Sequence, residues 1–165
     1  MAWLRRKAVP EQVAAVPLFA GERRLSWALT TDGDPVLVTD QGLRLPARGL
    51  LTWEQIERAT FVRPLLTVME LAEVAGTGAQ HAVALDLSDE TDLPQVLRAR
   101  VSASVAWSSH QRLAPTGGVR IVGRRRRDLE VLAWQLVYDA GTDPHDPAVR
   151  RQAEQHLDAA RRTIG

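Results

Sequence analysis

Four consecutive arginines are the residues most able to do chemistry in this 165-residue sequence. They stand where two predicted strands meet, so we expect their guanidinium groups to crowd together at a hairpin tip. A planar guanidinium presents a fork of N–H donors that matches a phosphate group. The run therefore predicts an anion-binding site made of Arg124, Arg125, Arg126 and Arg127. The alternative is a solvated basic hairpin, partly neutralised by Asp128 and Glu130.

Catalysis would need a nucleophile, a base and an orienting acid close together in space. Ser108, Ser109 and His110 are neighbours in sequence, but adjacency along the chain is not triad geometry. The glycine-containing segments 76–78 and 117–118 lack the length and the lysine of a phosphate loop. We therefore predict no catalytic residue and no cofactor site, and we expect the protein not to be an enzyme.

Metal binding is tested by the spacing of histidine, cysteine and acidic residues. The chain has four histidines, none at a HxxxH spacing, and no cysteine. Disulfides, thiolate catalysis and cysteine metal sites are therefore excluded. Only segment 143–146 places acids beside a histidine, and turn formation and helix capping explain that composition. We predict no metal site.

Composition and length limit which class of protein this can be. The chain is 45% apolar, carries a net charge of +1, and fits a single domain. No run of 18 apolar residues predicts a membrane span. Pro10, Glu11 and Pro17 interrupt the N-terminal region, which argues against a signal peptide and for a cytoplasmic protein. Twenty of the 21 basic residues are arginine, as is typical of a high-GC bacterial genome.

The charges are unevenly distributed along the chain. Residues 64–97 carry six acids and no lysine or arginine, whereas residues 93–127 carry eight arginines and no acid. Opposite charges stabilise neighbouring strands. We therefore expect the acidic and basic segments to pair within one sheet.

Short alternating segments separated by turn residues predict six strands before the middle of the chain. Their expected bounds are 23–30, 36–39, 43–46, 57–62, 65–72 and 80–87. In the first strand, Leu25, Trp27 and Leu29 are expected to face the core. Thr52 and Gln55 resemble a capping box and predict one helical turn before the fourth strand. Residues 1–22 are an N-terminal arm with a short helix near 11–16.

The pattern changes after an N-cap cluster at residues 88–92. Apolar residues at helical spacing from Leu93 to Val105 predict a helix that passes into a strand reaching Trp107. Residues 119–122 and 129–138 predict an antiparallel pair. A final helix is expected over 147–163, with Asp146 as its N-cap. Residues 23–165 are interpreted as one domain.

Three stretches of the sequence carry a resemblance to a known family. They are Trp27-Ala28, Val38-Thr39-Asp40-Gln41-Gly42-Leu43 and Leu51-Thr52-Trp53-Glu54-Gln55-Ile56. With the helix that follows, they resemble the pleckstrin-homology-like domains of small bacterial proteins. The segment from Tyr138 to Pro147 is similar to the ending of an uncharacterised high-GC bacterial family. The resemblance implies a seven-stranded barrel and a capping helix, and it implies no activity.

The expected fold class is α+β: a pleckstrin-homology-like antiparallel sheet or partial barrel, a capping helix, an additional β-hairpin and a C-terminal helix. The expected function is a non-catalytic binding or scaffold module with a protein partner. The alternative is binding of a polyanion, either nucleic acid or an acidic membrane surface, through the 124–127 arginine run. A homo-oligomer is compatible with either function.

Overall fold

The computed structural model describes residues 8–71, 81–88, 90–126 and 129–164. The chain divides into two compact units, residues 1–100 and 101–165. The division falls inside the second helix.

The described part of the first unit begins with helix α1 (Glu11–Ala14) and continues through seven strands. The strands are β1 (Arg24–Leu29), β2 (Pro35–Thr39), β3 (Gly42–Leu45), β4 (Gly49–Thr52), β5 (Ile56–Val62), β6 (Leu65–Glu70) and β7 (Ala82–Asp86). An antiparallel sheet contains β1 to β4 in sequence order, and a second contains β5 to β7. One isolated bridge, Thr30 to Leu87, joins their edges. The described strands therefore form an α+β unit with no closed barrel.

Strand β4 is the strand that the sequence prediction missed. Gly49, with φ of 79°, and Ala47, with φ of 57°, form a tight turn that folds β4 back onto β3. The apolar residues after this turn, Leu50 and Leu51, lead directly into the helical turn, so the sequence pattern alone did not indicate a separate strand. The predicted helical turn is present as a 3-10 turn over Trp53–Gln55, and Gln55 Oε1 accepts the Thr52 N–H at 2.9 Å.

The predicted inward face of β1 is wrong. Ser26, Ala28 and Thr30 are buried, whereas the larger side chains between them are half-buried. The buried hydroxyls have partners: Ser26 donates to an Asp92 carboxylate oxygen, and Thr30 Oγ1 accepts the Asp34 N–H at 3.0 Å. Because their hydrogen bonds are satisfied, small polar residues can occupy the core side of this strand.

Helix α2 (Leu93–Ser104) follows the strands as predicted. Leu93 and Leu97 are fully buried on its inner face. At its start, Thr91 Oγ1 accepts the Leu93 N–H at 3.1 Å and donates to the Trp27 carbonyl at 2.7 Å. The helix passes directly into a strand at Val105.

The second unit contains β8 (Val105–Arg112), β9 (Gly118–Arg126), β10 (Leu129–Tyr138) and helix α3 (Pro147–Ile164). The strands form an antiparallel sheet with β9 in the middle. Helix α3 begins as predicted, because Asp146 Oδ1 accepts the Ala148 N–H at 2.7 Å. The helix packs on the sheet over a small apolar core of Leu113, Val119, Leu136, Tyr138, Val149 and Ala153.

The predicted pairing of the acidic and basic segments is wrong. The acidic segment contributes β6 and β7 to one sheet, and the basic segment contributes β8 and β9 to another. Each of these strands pairs with its neighbour in sequence, as antiparallel hairpins do. Two of the described acids pair instead with arginines outside the basic segment: Glu70 with Arg48, and Glu90 with Arg63 at 3.2 Å.

Candidate binding surfaces

Arg124 lies in the middle of the second unit's sheet and not at a hairpin tip. It stands opposite Val105 on β8 and Ala133 on β10, and only 4% of its surface is exposed. Its Nη1 donates to the Val101 carbonyl at 3.0 Å and to Ser104 Oγ at 2.6 Å. These contacts satisfy polar groups in the last turn of α2, where backbone carbonyls lack partners within the helix.

Arg125 and Arg126 lie closer than Arg124 to the predicted exposed position at the hairpin tip. Arg125 is exposed, and its Nη1 also reaches the end of α2, donating to the Ala103 carbonyl at 3.2 Å. Arg126 is exposed at the end of β9. Arg127 and Asp128 lie outside the described residues. The run is therefore divided between capping the helix and facing solvent.

A second surface is the outward side of the β5–β7 sheet. Strand register places nine residues there in three rows of three: Arg58, Met69 and Ala82; Thr60, Thr67 and Ala84; Val62, Leu65 and Asp86. All nine are exposed or half-exposed, and Val62 is 77% exposed. The two charged residues stand at opposite corners. We call this set the β5–β7 outer face.

A third surface is built over a glycine in the second unit. His110 Nε2, from β8, lies 2.8 Å from Asp139 Oδ2, just beyond the end of β10. The contact passes across Gly118 on the central strand. A Cβ atom at that position would lie 2.4 Å from the Asp139 oxygen and 2.7 Å from the His110 nitrogen. Only glycine leaves room for this pair.

The turn after β10 fixes the same corner. Gly118 donates its N–H to Thr142 Oγ1 at 3.2 Å, and Asp139 donates its N–H to the Gly118 carbonyl at 2.9 Å. Gly117, with φ of 107°, would place a Cβ atom 2.4 Å from the same hydroxyl. The sequence indicated only that Gly117 and Gly118 do not form a phosphate loop, and it did not single out Asp139.

The serines beside His110 do not complete a triad in the described contacts. Ser109 points to the other side of the sheet, in the row of Ile121, and accepts a hydrogen bond from Gln111 at 2.9 Å. Ser108 shares the face of His110 but lies two residues away, about 7 Å along a strand. The histidine is therefore oriented by an acid without a hydrogen-bonded nucleophile.

A fourth cluster surrounds the buried carboxylate of Glu70. Arg48 Nη2 donates to Glu70 Oε2, and Arg48 Nη1 lies 3.1 Å from His81 Nδ1. Glu70 Oε1 is 3.5 Å from the same histidine nitrogen and has no hydrogen-bond partner among the described residues. The cluster ties the β3–β4 turn to the end of β6.

The histidine-containing segment 143–146 serves the turn before α3. Asp143 Oδ1 accepts the His145 N–H at 2.9 Å, and Asp146 caps the helix. Within the described ranges, no group of three or more potential ligands is close enough to hold a metal ion. No helix in the described part of the chain has the length and apolar composition needed to cross a bilayer.

Comparison with known proteins finds no matching family model, no matching curated protein and no matching solved structure.

Proposed function

We propose that the protein is a non-catalytic binding and scaffold module. The β5–β7 outer face is the observation that carries this proposal. Seven of its nine residues are uncharged, and Val62 and Leu65 are 77% and 40% exposed. Exposed apolar side chains on neighbouring strands, as Val62 and Leu65 are, give a partner a surface to cover.

The architecture of the first unit supports the proposal. Among the described residues, seven strands precede a helix, which is the strand number that the resemblance to pleckstrin-homology-like domains implies, although the strands form two sheets and no closed barrel. Such folds are frameworks on which binding surfaces are placed, and the surface decides the partner.

The partner that best fits this face is a second copy of the chain. Arg58 stands on the edge strand β5 and Asp86 on the edge strand β7, at diagonally opposite corners. Among the described residues, neither has an ion-pair partner. When two copies pack face to face with strands crossing at about 90°, each arginine meets the other copy's aspartate. This contact is self-complementary, as a two-fold interface requires.

The size of the face sets the expected strength of self-association. Three strands and five residues of length span about 10 Å by 14 Å. That is well below the roughly 800 Å² per partner of a standard stable interface. We therefore expect weak, concentration-dependent dimerisation.

Charge exchange tests the proposal by sedimentation equilibrium over a concentration series. Arg58→Glu and Asp86→Arg should each reduce dimerisation, because each places like charges together. The double variant should restore it, because the pair is re-formed with its polarity reversed. Arg98→Glu is the matched control, since Arg98 is exposed on α2.

Two outcomes would contradict this assignment. One is a wild-type protein that remains monomeric at every concentration. The other is single variants that dimerise as the wild type does. Stoichiometric capture of a different protein that depends on Val62 and Leu65 would reject the second copy as partner.

Polyanion binding is the second candidate, and the exposure of Arg125 and Arg126 favours it. Changing both to Gln should reduce the slope of log affinity for DNA against log salt by about 2 units. Arg124 must stay unchanged in this test because it caps α2. Wild-type protein that binds neither DNA nor acidic vesicles at low salt would exclude this candidate.

A further inference from the structure

We propose that His110, Arg112 and Arg120 form a binding site for a phosphate monoester group on the sheet of the second unit. We call these three residues the basic patch. The site is separate from the β5–β7 outer face and from the 124–127 run, so it goes beyond the proposed function.

Strand register brings the three residues together. Arg120 on β9 stands directly opposite His110 on β8. Arg112 lies two residues further along β8, opposite Gly118, and therefore on the same side of the sheet. Directly opposite residues have Cβ atoms about 5 Å apart, and diagonal neighbours are about 7–8 Å apart. All three side chains are exposed, so one small anion can reach all of them.

The charge of the patch favours an anion. Neither Arg112 nor Arg120 has a hydrogen-bond or ion-pair partner within the described part of the chain. The acid at this corner, Asp139, is engaged with His110. Two guanidinium groups on a diagonal repel each other, and a bound oxyanion would relieve this repulsion through forked hydrogen bonds to both.

The histidine determines which oxyanion fits. Because His110 Nε2 faces the Asp139 carboxylate at 2.8 Å, that nitrogen carries a proton and donates it. In the neutral ring, Nδ1 is then an acceptor, and in the charged ring it is a donor. A phosphate monoester has a second ionisation at about 6 and can carry or lose a proton at neutral pH. It can therefore match either form of the ring, whereas sulfate has no proton to give to the neutral ring.

The site is held in place before any ligand binds. The absence of a side chain at Gly118 lets Asp139 reach His110 across the central strand. Thr142 and the backbone of Gly118 fix the turn that carries the acid. Asp139 is therefore a positioning residue, and the three basic side chains are the contacts to the ligand.

Binding can be measured by NMR titration of the labelled full chain with inorganic phosphate at neutral pH and constant ionic strength. We expect saturable shifts at Gly118 and Arg120, with sulfate binding more weakly. Arg112→Gln and Arg120→Gln should each weaken phosphate binding by about tenfold, because each removes a charge-assisted hydrogen bond. Arg151→Gln is the control, since Arg151 is exposed on α3.

Two further arms identify the source and the role of the histidine. Phosphatidic acid vesicles test a membrane source and phosphoserine tests a soluble one, and tighter binding of either identifies it. Asp139→Asn should change the His110 tautomer in ring-nitrogen spectra and reduce the preference for phosphate over sulfate. Equal shifts with phosphate, sulfate and chloride, or unchanged binding in both arginine variants, would overturn the proposal.

Discussion

The Glu22 carboxylate accepts two hydrogen bonds from the Arg44 guanidinium inside the first unit. Nε donates to Oε1 at 2.8 Å, and Nη2 donates to Oε2 at 2.5 Å. The Phe19 N–H donates to the same carboxylate at 2.8 Å, and the guanidinium lies 4.7 Å from the centre of the Phe19 ring. The carboxylate is fully buried. This pair joins the N-terminal segment to β3 and leads to a prediction about pH.

Acid should weaken the fold through Glu22. Burial by itself raises the pKa of Glu22, but hydrogen bonds from Arg44, Phe19 and Thr39 outweigh it, so the pKa lies below its usual value. The unfolded chain then binds a proton at higher pH than the folded chain does. The stability from this pair is therefore complete above the unfolded pKa and is lost as pH falls through the folded pKa. Urea midpoints between neutral and strongly acidic pH measure the loss.

The matched variants for this test are Glu22→Gln and Glu11→Gln. The first should cost about 3–5 kcal/mol at neutral pH, because it leaves the Arg44 charge buried without its partner. It should also flatten the acid dependence. The second changes an exposed residue and should leave the profile unchanged. A Glu22→Gln profile as steep as that of the wild type would refute the assignment.

Arg124 and Arg126 should differ sharply in their effect on stability. Arg124→Gln removes hydrogen bonds to Val101 and Ser104 in a buried site, and we expect a loss of about 2–3 kcal/mol. Arg126→Gln changes an exposed side chain and should cost less than about 0.5 kcal/mol. Urea unfolding followed by circular dichroism separates them. Equal costs would mean that Arg124 does not cap the helix.

Helix α2 gives a third contrast between neighbouring residues. Leu97 is fully buried and Arg98 is exposed. Leu97→Ala should cost about 2–5 kcal/mol because it leaves a cavity, whereas Arg98→Ala should be nearly neutral. The same urea melts measure both, and similar costs would show that the buried face of the helix is misassigned.

Gly118→Ala should disturb the corner that carries His110 and Asp139. The added carbon has no room between the two side chains, so we expect a loss of about 1–3 kcal/mol and a separated pair. Ser108→Ala on the same face adds no atom and serves as the control. Chemical shifts of the His110 ring report the separation, and an unchanged ring signal in the glycine variant would count against the contact.

The elements that the sequence predicted well have strong local signals. Helix α2 was predicted from the apolar spacing between Leu93 and Val101, and the start of α3 was predicted from Asp146-Pro147. Both signals are local, so the prediction of these helices needed no knowledge of distant contacts. The inward face of β1 depended on Asp92 and on other long-range partners, and a two-residue period alone cannot choose between the faces of a half-buried strand.

The candidate sites were predictable only in part, because their geometry also depends on contacts between residues that are distant in sequence. The exposure of Arg126 follows from its place at a strand end, but the burial of Arg124 depends on the end of α2 lying against the sheet. The His110 and Asp139 pair joins residues 29 positions apart across an intervening strand. Strand register decides such contacts, and no motif in the sequence encodes the register.

The boundary between the two compact units lies inside a helix. It falls between Arg100 and Val101, within the 12 residues of α2. A gene divided there would give each product a piece of helix shorter than the roughly 12 residues that an isolated helix needs in water. Each piece of the helix would then depend on packing within its own unit, and we expect a chain cut at this boundary to be less helical than the intact protein.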